Sequence, residues 1–183
     1  MLSNFAHQFF NGPWSLADIP EGYCVEKDSV MLTASGKIHV ANEGCACPMN
    51  NVIQQFITNL QLSENEFALM DMEAGIEHFG RGVDNGVDLV MMVVDPSFES
   101  LRLSKKIQEL GGSIGKPVWF ILNKVTKDTR EVMLEAVADS QKIAAVIPAD
   151  AKVATAGLTG AELTGAYPSV EELARELITG RIR

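Results

Sequence analysis

The chain has 183 residues, 46% of them apolar, which is enough nonpolar side-chain material for one compact domain. Fifteen Lys and Arg against twenty-four Asp and Glu leave a net charge of −9, so a nucleic-acid surface built on clustered cations is excluded and anionic membranes are disfavoured. No apolar run reaches the roughly 18 residues of a spanning helix. Met1 to His7 carries no cationic segment ahead of a long apolar stretch, so neither a membrane segment nor a secretory signal is expected, and the reading is cytoplasmic.

Along the first 66 residues, Phe9 to Trp14 and Ile19 to Gly22 carry turn signals without a sustained period, so this part is expected to be mostly loop. Val30-Met31-Leu32-Thr33 reads as a strand. Val52, Ile53, Phe56, Ile57 and Leu60 recur at helical spacing and predict a helix over 51–60. From residue 67 the pattern changes to short apolar runs alternating with amphipathic stretches. Phe67 to Met72, Val87 to Val94, Val118 to Leu122 and Ile143 to Ile147 read as buried strands. Between them lie helices over 99–110, behind a Ser97 cap, and over 128–140. Ser169-Val170-Glu171-Glu172 is a capping-box pattern that opens a last helix running to about Ile178, with Gly180 as its stop. Strands alternating with helices imply an α/β fold, a doubly wound and mainly parallel sheet with flanking helices. We therefore expect a single domain over 1–183, irregular over 1–66 and α/β over 67–183.

Ligands of open parallel sheets sit beyond the carboxyl ends of the strands, which gives weight to Asp71 to Gly75, Asp95, Asn123-Lys124 and Pro148 to Asp150. An Asp closing a buried strand with a Gly shortly after it suits a site that holds a Mg²⁺-bound water and senses a phosphate through a backbone N–H, and Asp71 and Gly75 have that spacing. A strand-ending Asp that caps the next turn fits the same residues. Asp71 to Gly82 also concentrates three carboxylates, His78, Arg81 and three glycines, as a ligand loop or a mobile loop would. Asn123-Lys124 resembles the corner where P-loop enzymes read a purine edge with a side-chain amide. The guanine-reading version carries an Asp where this chain has Thr126, so a bound purine would be adenine; a helix-initiating turn is the other reading.

The phosphate cradle G-x-x-x-x-G-K-[ST] is absent from these residues. Of the two Gly-Lys pairs, Gly36-Lys37 has Met31 at the first Gly position and Ile38 after it, while Gly115-Lys116 has Leu110 and Pro117. The three cysteines are an odd count that argues against a disulfide framework. Cys24 reads as structural. Cys45 and Cys47, in Gly44-Cys45-Ala46-Cys47-Pro48 just before a helix, offer two soft ligands whose pKa a helix N-terminus lowers. Zn²⁺ or square-planar Ni²⁺ needs four, which a two-fold dimer would supply; two small buried hydrophobes are the alternative.

Gly44-Cys45-Ala46-Cys47-Pro48, the stretch Met70 to Gly82, Val94-Asp95-Pro96-Ser97, Asn123-Lys124-Val125 and Ile147-Pro148-Ala149-Asp150 together resemble, in order and approximate spacing, the carbon monoxide dehydrogenase maturation ATPases. These are relatives of the nitrogenase iron protein and of MinD-like deviant P-loop ATPases, and the resemblance covers about residues 13 to 165. It implies a homodimer that binds ATP and Mg²⁺ and assists nickel insertion into carbon monoxide dehydrogenase, with no nucleic-acid or membrane partner. By position, Cys45 and Cys47 would bind Ni²⁺ or Zn²⁺ between two subunits. Asp71 would lie near Mg²⁺ and the attacking water, and Gly75 would sense the γ-phosphate. Asn123, with Lys124, would contact adenine, and Pro148 to Asp150 would wall the base pocket. ATP would close the dimer and press the two C-x-C loops together, and hydrolysis would reopen it.

The family opens with a strand, a Lys-Gly-Gly-x-Gly-Lys-[Ser/Thr] loop, a helix and a further strand. The resemblance begins after these, so the expected fold is P-loop-like without its first strand-loop-helix unit. A reading from another class is a metal-binding or dimerisation module without nucleotide chemistry, or the partner of a full-length relative. A remnant without function is the third.

Overall fold

A computed structural model describes residues 9–34, 47–72, 86–137 and 140–182, with residues 47–50 and 140 described by backbone alone. Two compact units are formed, Met1–Val87 and Asp88–Arg183. No helix among the described residues is long and apolar enough to cross a membrane.

In the first unit, β1 (Cys24–Lys27) and β2 (Val30–Thr33) form an antiparallel hairpin. Its two-residue turn, Asp28-Ser29, has φ of +52° and +63°, the left-handed values a type I′ connection demands. Val25 and Leu32, paired across the hairpin, are 70% and 68% exposed, so the ladder and turn hold it rather than a core. Helix α1 (Cys47–Asn59) starts earlier than the apolar spacing alone suggests, because Pro48 suits a first helical turn, where no intrahelical N–H is needed.

The turn-rich Phe9 to Trp14 segment packs on this helix. Trp14 N–H donates to Asn59 O at 2.8 Å, and Gln61 N–H donates to Trp14 O at 2.7 Å. Phe10 meets Trp14 edge-on at 4.8 Å between ring centroids and lies 5.9 Å from Phe56.

The Asp18 carboxylate closes a short 3-10 turn (Leu16–Asp18) by accepting from Ser15 N–H at 2.8 Å and from Ser15 Oγ at 2.7 Å. Those bonds, the backbone one foremost, hold the Asp18 pKa below its ordinary value. A group depressed in the folded state contributes above the ordinary carboxylate range and loses that contribution as pH falls through the lowered value. Carboxyl titration by NMR should therefore find Asp18 below an ordinary Asp, and Ser15→Ala should move it back up.

One expected strand is corrected. Phe67 to Met72 forms no regular secondary structure rather than a buried strand, with Phe67 60% and Leu69 82% exposed. An apolar run becomes a strand only when another backbone takes its N–H and C=O groups, and among the described residues no strand pairs with it.

In the second unit, β3 (Val90–Val94), β4 (Val118–Val125) and β5 (Ile143–Pro148) form a parallel sheet in the order β3-β4-β5. Helix α2 (Phe98–Ser113) connects the first two strands and α3 (Arg130–Ala136) leads toward the third. Helices α4 (Ala151–Thr159) and α5 (Pro168–Ile178) follow. Ser97 Oγ caps α2 by accepting from Ser100 N–H at 3.2 Å.

Central β4 is covered on both faces. Val118, Phe120 and Leu122 face the α2 side, where a Cβ on Gly111 would lie 2.1 Å from Val118 Cγ2. Trp119 and Ile121 point the other way and pack with Leu173 and Leu177 of α5 and with Ile182. Helices thus lie on both faces, the doubly wound arrangement expected.

The Ser169 capping box is not formed. Pro168 takes the first helical position and Tyr167 precedes it, although Glu171 Oε1 still accepts from Tyr167 N–H at 3.3 Å. Gly180, at φ +68°, does stop α5: Gly180 N–H donates to Leu177 O at 3.1 Å and Arg181 N–H to Glu176 O at 3.0 Å. This Schellman turn directs Ile182 back into the core.

Candidate functional site

Strand β4 does not stop at Leu122 but continues through Asn123 and Lys124 to Val125. Leu122 pairs with Val146 and Val125 with Pro148, so three steps along β4 oppose two along β5. The extra residue forms a bulge, with Lys124 at φ +55°. A non-glycine residue there costs on the order of 1–3 kcal/mol. The Lys124–Asp95 ion pair is too exposed to offset that, since pairs of this kind contribute about 0–1 kcal/mol. Buried Leu122 and Val125 on either side of the bulge anchor it instead. The consequence is that the bulge re-aims Asn123 at the carboxyl edge of the sheet.

Asp95 reaches the same edge from β3, because Val94 pairs with Leu122. Its Oδ1 accepts from Asn123 Nδ2 at 3.0 Å and its Oδ2 from Lys124 Nζ at 2.5 Å. Asp95 is itself steadied by its N–H, which donates to Ser100 Oγ at 3.0 Å. A carboxylate accepts only, so this contact determines which end of the Asn123 amide is nitrogen and turns the oxygen away from Asp95.

The third contribution comes from β5 and the start of α4. Pro148 lies beside Val125, and Ala149 N–H donates to Val125 O at 3.0 Å. Asp150 caps α4, its Oδ1 accepting from Lys152 N–H at 2.6 Å and Val153 N–H at 3.3 Å. That oxygen occupies the amides an anion would otherwise take. Beyond it a surface groove of about 390 Å³ runs between Ala151, Lys152, Thr155 and Ala156 of α4 and the segment from Ala161 to Tyr167.

The sheet therefore brings Asn123, Lys124, Pro148 and Asp150 to one edge. Thr126, where a guanine reader carries its Asp, is engaged locally: its Oγ1 accepts from Thr129 N–H at 3.3 Å, and Thr129 Oγ1 accepts from Thr126 N–H at 3.0 Å. Gly115-Lys116 ends α2, with Gly115 at φ +69° and Lys116 N–H donating to Gly111 O at 3.0 Å. It is a helix stop and not a phosphate cradle.

Asp71 lies in the first unit as an exposed coil residue. Gly75, Cys45 and Gly36-Lys37 lie outside the described residues, and Cys47 opens α1. Among the described residues no group of three or more His, Cys, Asp or Glu is placed to hold a metal ion, and Cys24 is a free thiol.

Sequence reasoning marked Asp95 as a strand-end residue without giving it a role, and it did not mark the groove or α4. The Asp95-Pro96-Ser97 turn signal was the available clue to the first, and the Asp150 cap before an Ala-rich run the clue to the second.

No protein-family model matches the chain. An uncharacterized ATP-binding protein of Methanocaldococcus jannaschii, MJ0084, is 44% identical over 172 residues, which is 94% of this chain and 68% of that protein. The carbon monoxide dehydrogenase accessory protein CooC of Rhodospirillum rubrum is 32% identical over 162 residues, 88% of this chain and 62% of that one. Among solved structures, the MinD cell division protein of Aquifex aeolicus overlays 54% of this chain and 47% of its own, at 19% identity and a TM-score of 0.43, an overlap too partial to bear on the fold. The chain thus spans about two thirds of the length of the curated relatives it matches. At 44% identity over 94% of its length, the chain belongs to the family of the uncharacterized ATP-binding protein MJ0084, and it is similar at lower identity to the carbon monoxide dehydrogenase accessory protein CooC.

Proposed function

We propose that the chain is an ATP-binding accessory protein of carbon monoxide dehydrogenase maturation, acting in the cytoplasm as a homodimer on nickel. The observation that carries this reading is the Asn123 amide, aimed at the carboxyl edge of the sheet and tied to Asp95, in a chain 32% identical to a carbon monoxide dehydrogenase accessory protein. A donor and an acceptor side by side on a half-buried amide suit the N7 and N6 edge of adenine. In this reading Pro148 and Asp150 border the base and Lys124 lies at its rim.

Asp71 would position the water that attacks the terminal phosphate and hold the Mg²⁺ shell, and Gly75 would sense that phosphate through its N–H. Mg²⁺ supplies charge neutralisation there when bound. Cys45 and Cys47, with their copies in a second chain, would hold Ni²⁺ or Zn²⁺ as cargo. The two units are proposed to be parts of a single nucleotide-binding domain.

A second reading, from another class, is a metal-binding or dimerisation module without nucleotide chemistry, built on the same Cys45 and Cys47.

Titration calorimetry with Mg-ATP, and separately with Ni²⁺ or Zn²⁺, distinguishes the two. The ATP-binding reading expects heat with Mg-ATP that Asn123→Ala weakens roughly tenfold. It also expects one metal ion per two chains, lost in Cys45→Ser while the monomer stays folded. Metal bound at that ratio with no nucleotide heat leaves only the module, and an unchanged dimer mass in Cys45→Ser with metal present removes the shared site.

A further inference from the structure

We propose that Asp95 is the positioning residue that makes this edge select adenine, by locking the orientation of the Asn123 amide. The inference rests on the reading that Asn123 meets a purine, and adds the group that decides which purine it accepts. A primary amide is nearly symmetric in shape, so packing alone leaves it free to turn over and exchange its oxygen and nitrogen. Turned one way, it presents an acceptor toward the purine 6-position and a donor toward N7, which adenine matches. Hypoxanthine and guanine carry an oxygen at position 6, which demands a donor.

Asp95 removes this ambiguity. Its Oδ1 takes one of the two Asn123 N–H bonds at 3.0 Å. Turning the amide over would put two oxygens at that distance, neither able to donate. The second amide hydrogen and the amide oxygen remain as an ordered donor–acceptor pair. The other carboxylate oxygen accepts from Lys124 Nζ at 2.5 Å. The Asp95 backbone is also tied to Ser100. Asp95 touches no base in this arrangement; it acts through Asn123.

The test compares ATP with ITP, which differs in presenting O6, by calorimetry on the full chain and on Asp95→Ala. Wild type is expected to prefer ATP. In Asp95→Ala the ratio of the two affinities should fall roughly tenfold, chiefly through gain of ITP binding, with the thermal melt retained. A merely structural role would weaken both nucleotides equally and leave the ratio intact, and that result overturns the proposal. Should Asp95→Ala fail to fold, Asp95→Asn serves, since its amide can face either orientation of Asn123 and should also relax the ratio. Absence of binding by either nucleotide to wild type overturns the adenine reading and this inference with it. ATP preference kept in both variants overturns the inference alone.

Discussion

Phe120→Ala is expected to lower the stability of the 88–182 unit by about 3–5 kcal/mol, the range for removing a fully enclosed aromatic ring. Phe120 is 0% exposed, in the middle of the central strand, between Met92 on β3 and Ile143 on β5. Its neighbours on that face, Leu122 at 0% and Val118 at 2% exposed, are held by the same parallel register, so the strand has little freedom to close the cavity. Domains of this size have about 5–15 kcal/mol in all, so the loss takes a large share. Urea unfolding should show a lower midpoint with the slope unchanged. A loss below about 1 kcal/mol would mean that the α2 side of the sheet is not closed over this ring.

Gly111→Ala sets two effects against each other. Alanine improves helix propensity by about 1 kcal/mol over glycine, and Gly111 lies inside α2 with no left-handed φ to defend. The new Cβ, however, would lie 2.1 Å from Val118 Cγ2 and 3.3 Å from Lys116 O. Overpacking of this kind costs about 1–3 kcal/mol, and here it must move either a 2%-exposed valine or the backbone of the helix stop. The clash wins, and we expect net destabilisation.

A double-mutant cycle with Val118→Ala makes this specific. With the offending methyl gone, Gly111→Ala should become neutral or stabilising, a coupling of about 1–3 kcal/mol. Additive effects would show that α2 does not lie against β4 at this point.

These two positions show what could be read in advance. The three apolar runs that became β3, β4 and β5 were legible because a strand covered on both faces reads as continuous hydrophobicity. Ser97 as a cap and Gly180 as a stop were legible because each acts through its own backbone neighbours. The continuation of β4 past Leu122 was not, since Asn and Lys ordinarily end a buried strand, and only the bulge against β5 keeps Val125 in the ladder. Phe67 to Met72 was misread for the converse reason: its composition suits a strand, but composition does not supply the neighbour whose hydrogen bonds make one.

The sequence by itself determined the residue types that carry the chemistry: an amide and a lysine after an apolar run, no phosphate-loop pattern in these residues, and two thiols one residue apart. It also determined the α/β class, through the alternation of apolar runs with amphipathic stretches. The tertiary structure alone decided that Asp95 serves Asn123. The two are 28 residues apart in the chain and become neighbours only because burying Val94 and Leu122 sets the parallel register of β3 on β4. Local propensity is written residue by residue, whereas register follows from which apolar surfaces leave water together.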